Sequence, residues 1–335
     1  MKIKCNLCLK NNVDAHPNSH YLSDFIIRPA LNIQGSSKRD LGFYFGFDSD
    51  KPSSQFRYQR GFTKFEKVEE VLGRQSTEEE IVIMKQNIEF SSNDKFCIDC
   101  EPKFTKIENL FNKNILPKLR DSDLTGIKNL ELSVEDSKAL RLFVLLNFFR
   151  TSICDDEFQI QKELQNILRD KIFNYDFEGL ENIHLSVSYL ETLPNEGDID
   201  NTYKTENIVG IVYGANPKTI FFNDFVITLI DGHDFEHVEY NIFEDINSLL
   251  NSLNIDMKNY KVKIFSNDER KFIINKIATK LGIKIYQEQI LDFYKRYVIE
   301  FNKLPTDKII GDFIESFLNN RKHATVEQNR NKLIF

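Results

Sequence analysis

Residues 1–9 read MKIKCNLCL and residues 94–103 read DKFCIDCEPK, and these two stretches decide how the first third of the chain folds. Each carries two cysteines with two residues between them, Cys5 and Cys8 in the first and Cys97 and Cys100 in the second. Two intervening residues let one tight turn present both sulfurs to a tetrahedral ion, and two such turns fill all four positions. The spacing therefore predicts one structural Zn2+ on Cys5, Cys8, Cys97 and Cys100, closed to substrate. The 88 residues between the pairs are long for a zinc ribbon and fit a lobe inserted between two knuckles. The alternative is a redox-active C-x-x-C, for which neither pair has the strand-to-helix setting. Cys154, the fifth cysteine, lies beside Asp155 and Asp156 and reads as a small side chain at a helix edge.

Outward from the knuckles, Val13 ends a short strand and His16 and His20 follow in a loop. Leu22, Phe25, Ile26 and Ala30 then have helical spacing, with Ser23 or Asp24 as the cap. After the second knuckle, Pro102 suits a first helical turn. Phe104, Ile107, Leu110, Phe111 and Ile115 form the apolar stripe of that helix, and Glu101 and Glu108, seven residues apart, share one of its faces. Between the knuckles, residues 28–67 interleave eight Lys and Arg with Phe and Tyr. Cations contact phosphates and aromatic faces stack on unpaired bases, so Arg57, Arg60 and Lys64 in FRYQRGFTKF are the candidate nucleic-acid contacts. GFYFGF also reads as a strand, and Ser76 as a helix cap.

The chain has 335 residues, 41% hydrophobic and 28% charged, the composition of a folded globular protein. Residues 1–120 hold 19 Lys and Arg against 16 Asp and Glu, whereas the remainder holds 25 against 35. A mildly basic front on an acidic body points to a polyanionic partner for the front. No apolar run reaches the roughly 18 residues of a membrane span, and MKIKCNLC has no apolar signal region, so no membrane partner and a cytoplasmic location are expected. No G-x-G-x-x-G or G-x-x-x-x-G-K-[ST] loop occurs, which argues against nucleotide hydrolysis by those routes.

A C-x-x-C knuckle, then Ser19-His20 with Phe25 five residues on, then C-x-x-C-E opening a helix with a second Glu resembles HNH-type nuclease modules. The likeness is closest to bacterial HNH-like proteins with a Ser-His-Ile-Ile-Pro-type signature, and it covers about residues 3–115. The resemblance implies a treble-clef-like ββα element braced by the zinc, with His20 as the base that activates water. It also implies a divalent metal that stabilises the phosphoryl transition state. Ser19 stands where such enzymes carry a metal-binding Asp or His, and Ser23 where they carry Pro. Glu101 and Glu108 are then the candidate ligands, with Asp14 or His16 replacing the one missing at 19. Oxygen donors suit Mg2+ or Mn2+. Without a second metal, His20 and Glu101 instead brace and cap the lobe, giving a non-catalytic zinc-stabilised module that binds nucleic acid or protein.

The expected fold class is α+β, a zinc-braced treble-clef/HNH-like module over residues 1–120 followed by a helical and mixed α/β domain over residues 121–335. In the second part, SVEDSKALRLFVLLNFFRTS reads as a helix apolar all round and hence buried, with Ser133 and Asp136 as its capping motif. An amphipathic helix, DEFQIQKELQNILRDKIF, follows. From 183 the runs are strand-like, His184 reads as a core or sheet residue, and residues 218–230 form a hairpin about Asn223-Asp224. KVKIFSNDERKFIINKIATKLGIKIY reads strand–helix–strand, with Ser266 and Glu269 as a capping box and Gly282 as the stop. In DGHDFEHVEY, Asp231, His233, Asp234 and His237 read as a surface loop before a metal site. The final segments, from EQILDFYKRYVIEF through KIIGDFIESFLNN, read as helical, and the basic, polar tail after them as an interaction arm or a frayed end. The second domain would regulate the first, bind a protein partner or form a homo-oligomer, and the layout suits bacterial defence.

Overall fold

The computed structural model describes residues 1–31, 43–47, 56–60, 74–75, 77–78, 90–191, 209–212, 217–231, 242–243, 246–254 and 260–319. Ser76, Lys64, residues 232–240 and the tail after residue 319 of the predicted features lie outside these. In the first part the elements are β1 (Lys2–Ile3), β2 (Val13–Asp14), β3 (Ser19–His20), α1 (Asp24–Leu31), β4 (Phe43–Phe47), β5 (Phe56–Arg60), β6 (Ser91–Ser92), α2 (Glu101–Asn114) and α3 (Leu116–Arg120). They continue as β7 (Asn129–Glu131), α4 (Val134–Cys154), α5 (Lys162–Asn174), β8 (Leu185–Leu190), β9 (Val209–Val212), β10 (Lys218–Phe222) and β11 (Phe225–Leu229). The last are α6 (Ile246–Asn251), β12 (Lys261–Phe265), α7 (Asn267–Phe301) and α8 (Asp307–Asn319).

Helix α4 is the axis of the packing. The apolar run predicted to be buried is so: every residue from Ala139 to Ser152 is buried, and Ser133 Oγ caps the helix by accepting from Asp136 N at 3.1 Å. A helix with no polar face must be covered on all sides. On one side lies α2, whose Phe111 ring stacks on Phe143 with centroids 4.0 Å apart. Phe111 also meets Phe225 of β11 edge-on at 5.6 Å, so α2, α4 and the sheet share one core. Hydrophobic packing runs without a break from Cys5 and Leu7 through α2 and α4 to Ile264 of β12.

The main sheet has eight strands in the order β4-β5-β9-β10-β11-β8-β12-β7. It is mixed: β12 runs parallel to β8, and the other pairs are antiparallel. Alternate residues face opposite sides of a strand, and both sides here are covered. Ile220 and Phe222 of β10 and Phe225, Ile227 and Leu229 of β11 join the α2–α4 core. Phe221 and Val226 point the other way, into a second core with Leu249 of α6 and Ile273, Ile274 and Ile277 of α7. Two-sided burial explains why these strands read as continuous apolar runs rather than alternating ones. The β10–β11 connection is the predicted two-residue turn, with Asn223 at φ +78°.

Two expectations are corrected. The helix that starts at the Ser266–Glu269 capping box does not stop at Gly282; α7 continues to Phe301 and ends on Asn302 at φ +49°. An apolar run as short as IKIY carries no period that separates strand from helix, and one helical glycine costs only about 1 kcal/mol. His184 is exposed, just ahead of β8, and contributes its carbonyl to Ile230 N at 3.1 Å. Strand β7, which no sequence reading anticipated, lies at the sheet edge beside β12, just ahead of the Ser133 cap.

The β10–β11 turn is buried and clamped by two arginines. Arg120 of α3 forks onto the Asp224 carboxylate, with Nη2 2.9 Å from Oδ1, and the same nitrogen donates to Ile26 O of α1 at 3.2 Å. Arg270 of α7 donates to Asn223 O and Oδ1 at 2.8 and 2.6 Å. Asp224 is 2% exposed, so removing its partner strands a buried charge. Arg120→Ala is expected to cost about 3–5 kcal/mol, read as a lower urea midpoint, and Arg120→Lys to restore only part because the fork is lost.

Candidate metal centre and the histidine lip

The two knuckles meet as their spacing requires. Cys5 Sγ lies 3.7 Å from Cys100 Sγ, Cys8 Sγ lies 3.8 Å from Cys97 Sγ, and all four sulfurs fall within 4.8 Å of one another. Sulfurs at about 2.3 Å from a tetrahedral zinc stand about 3.8 Å apart, whereas a disulfide needs about 2.05 Å. The sulfurs thus stand at zinc spacing, and the thiolate donor set is the one zinc prefers. Backbone hydrogen bonds from residues 7, 8 and 97 support the Cys5 sulfur, and one from Cys100 supports Cys97.

Alone, the thiols cannot all ionise in so small a space. The Cys5–Cys100 sulfur contact pulls Cys5 down to about 4 and pushes Cys100 up. Burial pushes Cys97 up. A dication removes that conflict, because four thiolates around two positive charges need no shared proton.

The knuckles also fix the chain around them. Ala15 bridges to Cys97, Ile98 N donates to Asp14 O at 3.0 Å, and His16 N donates to Phe96 O at 2.9 Å. Cys100 occupies the N-cap position of α2 and makes no side-chain cap bond, consistent with a sulfur reserved for metal. Leu9, directly after Cys8, has φ +61°, a left-handed backbone that costs a residue with a Cβ about 1–2 kcal/mol.

From Cys100 the helix carries Glu101 and Glu108 past the segment that holds His20. Ser19 Oγ donates to Glu101 Oε2 at 2.8 Å, and Ser23 Oγ donates to Glu108 Oε1 at 2.7 Å. Arg150 of α4, 1% exposed, reaches the same Glu108 oxygen at 2.7 Å and Ser23 Oγ at 2.8 Å. Asn147 Oδ1 accepts from Ser23 N at 3.1 Å. His20, on β3 between the two serines, is half-buried with Nε2 3.6 Å from Asp24 Oδ1. The residues that depart from the HNH pattern are therefore the ones that engage the two carboxylates.

The other predicted residues are placed as follows. Asp14 is exposed and paired with Lys2 at 2.9 Å, and His16 is half-buried. Among the described residues the four cysteines form the group of three or more Cys, His, Asp and Glu within metal distance, and His20, Glu101, Glu108, Asp14 and His16 form none. Arg57 and Arg60 lie on β5, paired in register with Gly46 and Phe43 of β4, and Arg57 also with Ile211 of β9. Sequence reasoning missed Arg150 and Asn147. Their signal was present: polar residues inside an all-apolar helix must find buried partners.

One zinc per chain is expected by elemental analysis of the protein purified without added metal. Cys8→Ser should lower zinc retention against a chelator and lower the melting temperature. Loss of Zn2+ should melt the segment around β1, β2 and the start of α2 before the main sheet, read by hydrogen exchange.

No helix among the described residues is long and apolar enough to cross a membrane. Compared with known proteins, the chain matches no family model, no curated protein and no solved structure.

Proposed function

We propose that the protein is a zinc-braced, HNH-like module that binds nucleic acid without cleaving it, carried on a larger α+β body. The observation behind this reading is the use of the two helix carboxylates. Glu101 accepts from Ser19, and Glu108 is neutralised by a buried guanidinium and accepts from Ser23. A Glu already compensated by Arg150 is a poor ligand for a second cation, since the ion would have to displace a buried ion pair. The basic and aromatic residues between the knuckles and the positive balance of residues 1–120 support a polyanionic partner.

Binding to plasmid, single-stranded DNA and RNA is expected to be saturable, with affinity falling steeply as salt rises. Arg57→Gln, Arg60→Gln and Lys64→Gln should each weaken it. All three nucleic acids should stay intact with Mg2+ or Mn2+ present.

One observation favours catalysis as a second reading. His20 Nε2 lies 3.6 Å from Asp24 Oδ1, close enough for the carboxylate to stabilise the imidazolium that proton transfer would form. In that case His20 would take the proton of the attacking water, and Glu101, released from Ser19, would be an oxygen ligand for Mg2+ or Mn2+, which would supply charge stabilisation to the phosphate. Metal-dependent cleavage that disappears in His20→Ala would replace the first reading with this one. A place in bacterial defence, a cytoplasmic location and a protein or self-association role for residues 121–335 are proposals on the same footing.

A further inference from the structure

Leu9 combines two unfavourable features. Its backbone is left-handed at φ +61°, and 46% of its surface is exposed, so burial does not offset the strain. A glycine or asparagine would fill this position more easily. Its counterpart, Ile98, directly follows Cys97 and is 51% exposed. Cys8 and Cys97, their chain neighbours, bring their sulfurs to within 3.8 Å of each other, so both exposed apolar residues adjoin the cysteine cluster. In that cluster Cys8 is half-buried, while Cys5, Cys97 and Cys100 are buried.

Lysines flank the same cluster. Lys4 precedes Cys5, Cys5 N donates to Lys10 O at 3.0 Å, and Asn6 N donates to Lys95 O at 3.0 Å. Among the described residues Lys4, Lys10 and Lys95 meet no carboxylate. Lys2, Lys118, Lys128, Lys171 and Lys261 each do. Asp94 accepts from Ser92 Oγ at 2.8 Å, which leaves Asp99, exposed beside Ile98, as the acidic group of the second knuckle turn.

We propose that the surface beside the cysteines is a contact site for single-stranded nucleic acid, with Leu9 and Ile98 packed on base faces and Lys4, Lys10 and Lys95 on phosphates. Uncompensated cations around exposed apolar groups match a strand that alternates phosphates with flat, weakly hydrated bases. The inference rests on the binding reading above and gives it a place: the two exposed apolar residues beside the cysteines supply contact with bases, while the lysines supply attraction.

The test uses the full-length, zinc-loaded protein and fluorescein-labelled oligo(dT) and oligo(U), followed by anisotropy across a salt series. Leu9→Gly should bind at least tenfold more weakly while zinc content is unchanged and the melting temperature is the same or higher. Ile98→Ser should also weaken binding. Lys10→Gln and Lys95→Gln should each reduce the slope of log K against log salt by about 0.7, and Asp99→Asn should tighten binding. Wild-type affinity in both Leu9→Gly and Ile98→Ser would overturn the inference, as would exclusive binding of duplex. If the wild type binds some nucleic acid but the knuckle variants match it, this surface alone is wrong. If the wild type binds no nucleic acid, or an acidic protein displaces the oligonucleotides without being displaced by them, the binding reading falls with it.

Discussion

Four sulfurs brought to within 4.8 Å of one another hold together two pieces of chain that are 88 residues apart in sequence. The strand pairs beside the cysteines, β1–β2 and β3–β6, are two residues each, too short to stabilise themselves. Closing so long a loop has an entropic cost, and a metal ion held by these cysteines in the folded state and not in the unfolded one would offset it. Everything in the lobe is referenced to this point. Cys100 starts α2, α2 carries Phe104, Ile107 and Phe111 into the core, and the same helix lays Glu101 and Glu108 alongside the segment of His20.

The second constraint is the central helix. Arg141, Asn147 and Arg150 interrupt its apolar run, and each is buried. Arg141 Nη1 donates to Leu180 O and Ile183 O, fastening the turn ahead of β8 at 2.8 and 2.9 Å. Asn147 and Arg150 fasten Ser23 and Glu108 on the other side. Exchanging such groups for apolar ones of similar volume is often tolerated in a core. Here their geometry registers three separate segments against one helix, which apolar contacts alone specify less sharply. The cysteine cluster thus sets the start of α2, and Asn147 and Arg150 set how the histidine segment sits on it.

The parts that were legible in the sequence are those in which residue type alone carries the chemistry. The cysteine quartet needs only thiolates at the right interval. The buried sheet is visible because FVITL and KTIFF are apolar at successive positions, which only two covered faces explain. The capping boxes and the Asn223-Asp224 turn are local. By contrast, the role of Ser19 depends on Glu101, 82 residues on, and that of Ser23 on Arg150, 127 residues on. A serine gives no sign of its partner, so the two read as gaps in a catalytic pattern rather than as donors to it. The long helix α7 was hidden for a different reason: IKIY suits strand and helix equally, and tertiary packing of Ile273, Ile274 and Ile277 begins the helix that carries through it.

A carboxylate's chemistry is set by what neutralises it. Glu108 shares one oxygen with a guanidinium that is 1% exposed, and it cannot leave that contact without stranding the arginine. Glu101 is held by a neutral hydroxyl at 2.8 Å, a bond worth far less net than an ion pair in a dry site. The two glutamates that look equivalent on a helical wheel are therefore unequal: one is part of the frame, the other could change partners. Any metal chemistry near His20 would have to proceed through Glu101 and Asp24 with Glu108 left in place. That is a sparser ligand set than the helix spacing first suggests, and it is the physical argument behind proposing a binding role rather than hydrolysis.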